Sequence, residues 1–171
     1  MRILNLHGFR GSVENTNYKM IRDMYPDAVI VDDYHDYMKD SPEDIICTYC
    51  AYEDFDFIIG NSFGGFIAYI IGAISEWKTL LTNPCIPASD YIKGVINDYP
   101  FIEELERLWN VYKGDNHNCH ILLGLKDEVI SPQKTLDALK NSGANISLSA
   151  DAGHLIKGDV LKNWLENNTH T

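Results

Sequence analysis

Positive charge is scarce in this 171-residue chain. Lys and Arg number 14 against 25 Asp and Glu, a formal net charge of −11. With no basic excess to neutralise phosphates, the composition argues against a nucleic-acid partner. It also disfavours anionic membranes and polyanionic substrates. Long hydrophobic runs are missing too. The longest apolar segment, Phe66 to Ile74, is far too short to span a bilayer. No charged segment followed by an apolar one precedes the first strand, so no signal peptide is expected; the expected location is cytoplasmic, with no membrane partner. Cysteine is limited to Cys47, Cys50, Cys85 and Cys119, expected to be reduced and buried. Cys47-Thr48-Tyr49-Cys50 has the spacing of a redox pair or half a metal site. It falls inside a helical stretch, with no second such pair and no close histidine pair, so no metal site is expected. What remains is ordinary, 45% hydrophobic and 23% charged, and predicts a single domain over residues 1–171 with one core.

Short apolar runs alternate with helical periodicities along the chain. Strands are expected at Arg2 to Leu6, Asp27 to Val31, Phe55 to Gly60, Lys78 to Thr82, His120 to Gly124 and Asn145 to Ser149. Helices are expected at Glu14 to Tyr25, from the Ser41-Pro42 start to about Tyr52, at Phe66 to Ile74, at Phe101 to Tyr112, from Ser131-Pro132 to about Asn141, and at Asp159 to Glu166. Cys85 to Tyr99, broken by Pro87 and Gly94, reads as irregular. Asp32 to Asp40, rich in Asp and Tyr and containing His35, reads as a solvated loop. Strict alternation implies an α/β fold: a mostly parallel six-stranded sheet with helices on both faces. Functional loops then gather at the C-terminal ends of the strands.

Gly60-Asn61-Ser62-Phe63-Gly64 spells G-x-S-x-G between an apolar strand and an apolar helix. In that setting the pentapeptide means a nucleophile elbow, a strained turn whose neighbours must be small. A serine hydroxyl is a weak nucleophile near neutral pH and needs a base, and the base needs an orienting group. In the α/β-hydrolase arrangement these follow in the order Ser, acid, His. Ser62, Asp127 and His154 have that order, each directly after a strand. Asp98 and Asp151 are the alternative acids, and His170 lies in the tail. The developing oxyanion would be held by the backbone N–H groups of Phe63 and Phe9, the latter in the loop His7-Gly8-Phe9 after the first strand. His7, Gly8, Tyr99 and Phe101 are candidate substrate-binding residues. An open, shallow pocket lined by Phe9, Phe63 and Tyr99 or Phe101 would suit short acyl chains.

Leu6-His7-Gly8-Phe9, the Gly-Asn-Ser-Phe-Gly-Gly elbow, Asn83-Pro84, the Gly-x-x-Asp-Glu-Val stretch and the late Gly-His together resemble the YqiA-like small bacterial esterases. The resemblance covers nearly the whole chain as ordered motifs. It implies a minimal α/β-hydrolase without a large cap domain. It also implies esterase or thioesterase activity on small acyl esters, with Ser62, Asp127 and His154 as triad and no cofactor. The chain departs from that family at Asp32 to Tyr37, where a Pro-rich stretch is common. Two other readings stand beside this one: a peptidase or amidase on the same triad, and a non-catalytic binding protein that kept the fold.

Overall fold

Side chains alternate across a strand, and here both sides are apolar. On β1 (Arg2–Leu6) Ile3 faces one way and Leu4 and Leu6 the other, all fully buried. A strand buried on both faces needs a layer of helices above and below, and the computed structural model, which describes residues 1–52 and 54–169, has both layers. In chain order β1 is followed by α1 (Thr16–Met24), β2 (Val29–Val31), α2 (Pro42–Cys50), β3 (Phe57–Asn61), α3 (Ser62–Ser75) and β4 (Thr79–Thr82). Then come α4 (Ala88–Val95), α5 (Ile102–Tyr112), β5 (Cys119–Gly124), α6 (Pro132–Leu139), β6 (Asn145–Ser149) and α7 (Gly158–Thr169). His170 lies outside the described residues. All strand pairings are parallel, in the order β2-β1-β3-β4-β5-β6.

One face carries Ile3, Phe57, Ile59, Leu80 and Leu122 against α1 and α7, through Ile21, Leu161, Trp164 and Leu165. The other carries Leu4, Leu6, Ile58, Leu81, Ile121 and Leu123 against α2, α3, α5 and α6. Helix α3 is the pillar of that side: Phe63 through Gly72 is buried without a break, so this helix is apolar all round rather than striped. Helix starts follow their capping signals. Ser41 accepts from Asp44 N–H and precedes Pro42. Ser131 accepts from Lys134 N–H and precedes Pro132, and Asn15 accepts from Tyr18 N–H.

Chain direction reverses its lateral progress between β1 and β3: the connection after β1 runs to β2 at the edge, and everything from β3 onward builds the other way. Such a switch point opens a crevice at the C-terminal ends of the two strands. Leu6 pairs in register with Gly60, so the crevice lies between His7-Gly8-Phe9 and Ser62.

Three expectations need correction. Cys85 to Tyr99 is not irregular: Ala88–Val95 is a helix, α4, with Ala88 and Ile92 buried. Pro87 sits just ahead of it, where a missing N–H costs nothing, and Gly94 falls in its last turn with open space around it. The Asp32–Asp40 loop is not simply solvated, since Tyr37 is fully buried. Cys47 is exposed rather than buried, Cys50 is half-buried, and all four cysteines are free. Burial pushes the Cys50 thiol up, the opposite of an activated redox cysteine. Among the described residues no helix is long and apolar enough to cross a membrane.

Candidate active site

Strand β3 passes into α3 with no linker: Asn61 ends one and Ser62 begins the other. That abruptness forces Ser62 to φ +51°, a left-handed conformation costing a residue with a Cβ roughly 1–2 kcal/mol. Glycine permits the close packing around it. A Cβ on Gly64 would overlap the carbonyl oxygens of Leu6 and His7, and one on Gly60 would come within 2.6 Å of the Gly64 carbonyl oxygen. The elbow is thus pressed directly onto the end of β1, and Ser62 C=O accepts from Cys85 N–H at 2.8 Å.

The loops after β5 and β6 bring Asp127 and His154 together. His154 Nδ1 lies 2.9 Å from Asp127 Oδ2, and the Asp127 side chain is fully buried. Its other oxygen accepts from Val129 N–H at 2.7 Å and Ile130 N–H at 2.9 Å. The carboxylate is therefore fixed by its own turn before it meets the imidazole. Asp151 is turned outward to Lys126 at 2.7 Å, and Asp98 is exposed beyond α4. Ser62 and His154 line one cavity. Among the described residues no direct hydrogen bond joins Ser62 Oγ to the imidazole; such contacts commonly tighten only when substrate binds.

Asn83, after β4, does more than end a strand. It is 1% exposed and itself left-handed at φ +42°, a region asparagine tolerates better than most residues. Its amide nitrogen donates to the carbonyls of Gly153 and His154, both at 2.9 Å, and its Oδ1 accepts from Gly124 N–H at 2.8 Å. One side chain therefore ties the loop bearing His154 to the strand end that leads into Asp127. Asn83→Ala removes the partner of one buried and two half-buried backbone groups. The expected cost is about 2–4 kcal/mol in urea unfolding. In the sequence, Asn83-Pro84 ends a strand and is one of the motifs that carry the family resemblance, with no role for the side chain. The available signal was an asparagine at a strand's C-terminal end beside the elbow.

The loop after β1 is braced from behind. Gly8 is so close that a Cβ there would lie 3.2 Å from both Asn61 Nδ2 and Ser62 Cβ. His7 is fully buried: its Nε2 accepts from His35 N–H at 2.9 Å, which puts the ring proton on Nδ1, 2.8 Å from Gly8 O. Tyr37 O–H donates to His7 O at 2.8 Å. Behind these, His35 Nε2 meets Tyr49 O–H at 2.8 Å, and Tyr49 donates to Asp33 at 2.9 Å. Burial, with His7 nearby, holds the His35 imidazole below the usual histidine range, consistent with a neutral ring donating to Tyr49. Both His7 ring nitrogens are thus engaged within the protein, and the residue borders the cavity at Ser62. Phe63 N–H belongs to the first turn of α3, whose amides have no intrahelical acceptor. Phe9 N–H has no backbone acceptor among the described residues.

Two arms of space meet at Ser62 and Phe9. One, of about 400 Å³, runs past Gly8, Ser12, Glu14, Thr16, Lys19 and His154. The other, of about 130 Å³, is lined by Phe63, Cys85, Tyr91, Ile92, Val129 and Ile130, among others. Tyr99 and Phe101 line neither. Tyr99 is 6% exposed and stacks edge-on against Phe9 and Phe63, with Phe101 behind it; both back the wall rather than form it, because α4 stands where an open loop was expected. Larger depressions, about 460 Å³ near Tyr25 and about 530 Å³ near Tyr99, adjoin neither Ser62 nor His154. Among the described residues no group of three or more His, Cys, Asp or Glu side chains is placed to hold a metal ion.

The sequence profile of UPF0227, described as an uncharacterised protein family, matches residues 2–158. The chain belongs to UPF0227. This is the YqiA-like family that the motifs resemble. No curated protein matches in sequence. Solved structures similar to this UPF0227 chain are α/β hydrolases. Est1E from Butyrivibrio proteoclasticus, in a structure with ferulic acid bound, superposes with a TM-score of 0.71 at 13% identity, over 98% of this chain and 88% of that one. The monoacylglycerol lipase of Paleococcus ferrophilus gives 0.69 at 13% identity, over 98% and 92%. Mouse alpha/beta hydrolase domain-containing protein 10 gives 0.70 at 12% identity, over 96% and 86%. At these identities the likeness establishes the fold: an α/β-hydrolase fold, with no large cap among the described residues.

Proposed function

We propose that this chain is a serine hydrolase cleaving carboxylic esters or thioesters through an acyl-enzyme. The observation that carries the reading is one cavity lined both by Ser62, held left-handed at the strand–helix junction, and by His154, itself held by the buried Asp127. Ser62 Oγ attacks the acyl carbon while His154 Nε2 takes its proton. The tetrahedral oxyanion is held by the N–H groups of Phe9 and Phe63. The bond to the leaving group then breaks, and the proton passes from Nε2 to the departing atom. A water molecule repeats the sequence on the acyl-enzyme, giving the free acid and restoring Ser62. Asp127 keeps the proton of neutral His154 on Nδ1, so that Nε2 can accept, and stabilises the imidazolium that forms.

The test is covalent labelling with a fluorophosphonate probe. Stoichiometric labelling of one residue, Ser62, is expected on mass spectrometry of the digested protein. A folded protein that stays unlabelled refutes the reading.

A further inference from the structure

The two arms of space at Ser62 differ in chemistry, and His154 borders only one of them. Resting on the serine-hydrolase reading, we propose that the substrate is the ester of a short apolar acid with an uncharged, polyhydroxylated alcohol. The acid lies in the narrow arm and the alcohol in the wide one.

The assignment of direction follows from proton transfer. The general acid must reach the oxygen of the departing group, and His154 lines the wide arm. The alcohol therefore leaves on that side, and the acyl chain extends the other way, past Phe63. The narrow arm's volume, about 130 Å³, is close to the roughly 150 Å³ of an apolar cavity that holds benzene. It suits an acid of about four to six carbons. Its walls, Phe63, Cys85, Ile92 and Ile130, supply apolar contact, and the Cys85 thiol is pushed up by burial, so it stays protonated.

The wide arm, about 400 Å³, has the donors and acceptors of a site for hydroxyl groups. Ser12 and Thr16 bring hydroxyls. Asn61 is oriented by its Oδ1, which accepts from Asn15 Nδ2 at 3.2 Å; its own N–H groups are left for a ligand, beside Gly8. The arm's charged side chains are Lys19 and Glu14, one of each sign, on a chain of net charge −11. That balance favours a neutral leaving group over a phosphate-bearing one, such as a nucleotide thiol. In the reaction the ester C–O bond breaks, the alcohol oxygen takes the proton from His154 Nε2, and water later releases the acid.

The experiment compares kcat/KM of the full chain for ethyl butyrate, glycerol monobutyrate, a glucose monobutyrate, butyryl-coenzyme A and glycerol monodecanoate, with p-nitrophenyl butyrate as a reactive reference. The two polyol butyrates are expected at least tenfold above ethyl butyrate and above the thioester, and the decanoate at least tenfold below the glycerol butyrate. Thr16→Val is expected to narrow the glycerol-to-ethyl ratio at least threefold. Turnover of p-nitrophenyl butyrate with ethyl butyrate or the thioester equal to or better than the polyol esters overturns this inference and leaves the hydrolase reading standing. An unchanged ratio in Thr16→Val, or decanoate as good as butyrate, overturns it as well. If p-nitrophenyl butyrate is not turned over and no probe labels Ser62, the hydrolase reading falls and this inference with it.

Discussion

Ser62→Ala is expected to lower kcat by at least about 10⁴-fold, the scale seen when a serine nucleophile is removed and only oxyanion contacts and binding remain. Fluorophosphonate labelling should vanish with it. The variant will fold, because Ser62 contributes its backbone carbonyl, not its hydroxyl, to the link with Cys85. Ser62→Gly is the instructive companion. It is equally inactive, but it removes the Cβ from a residue held at φ +51°. Relief of left-handed strain is worth roughly 1–2 kcal/mol, offset by about 0.4–1 kcal/mol of added freedom in the unfolded chain. The glycine variant should therefore be about 0.5–1 kcal/mol more stable than the alanine variant, a rise of roughly 2 °C in Tm for a chain of this size. An alanine variant retaining more than about 1% of wild-type kcat would show that Ser62 is not the nucleophile. A glycine variant less stable than the alanine variant would show that the turn is not strained.

Asp127→Asn is expected to cost about 10⁴-fold in kcat with little loss of stability. The reason lies in the turn that holds the carboxylate. Oδ1 accepts from Val129 and Ile130 N–H, so an asparagine there must keep its oxygen on the two amides and turn its NH2 toward His154 Nδ1. The imidazole then accepts at Nδ1 and carries its proton on Nε2, where it cannot take one from Ser62. Nitrogen NMR of labelled histidine reads this tautomer change directly, and the rate of fluorophosphonate labelling should fall in parallel with kcat. Activity within tenfold of wild type would remove Asp127 from the proposed mechanism.

The elements that carry the proposed chemistry were legible because their signals are local. A strand, a glycine-bracketed serine and an apolar helix are contiguous in Phe57 to Ser75. The positions of Asp127 and His154 follow from lying in the loops at the C-terminal ends of successive strands of a parallel sheet. The walls were not legible, because they depend on long-range packing. Helix α4 was hidden by Pro87 and Gly94, residues that usually interrupt a helix but here stand at its two ends. Tyr99 and Phe101 have the right chemistry for a pocket wall, yet α4 occupies the nearer place. The Asp32–Asp40 loop has the composition of a solvated segment. Its Tyr37 and its His35 backbone nevertheless reach inward to His7, a pairing across about thirty residues that no periodicity announces.

Helix α4 also separates two properties that often change together. The proposed nucleophile, base, acid and oxyanion donors come from the ends of β1, β3, β5 and β6. Much of the narrow arm's wall comes from Tyr91, Ile92, Val95 and Ile96, on or just after an eight-residue helix that contributes no group to proton transfer. Val95, at its end, is 82% exposed, so larger or smaller residues fit there without disturbing the core. In the proposed reaction, selection in nature or in the laboratory can therefore retune which acids are accepted by altering one short exchangeable segment, while the proposed catalytic residues stay untouched.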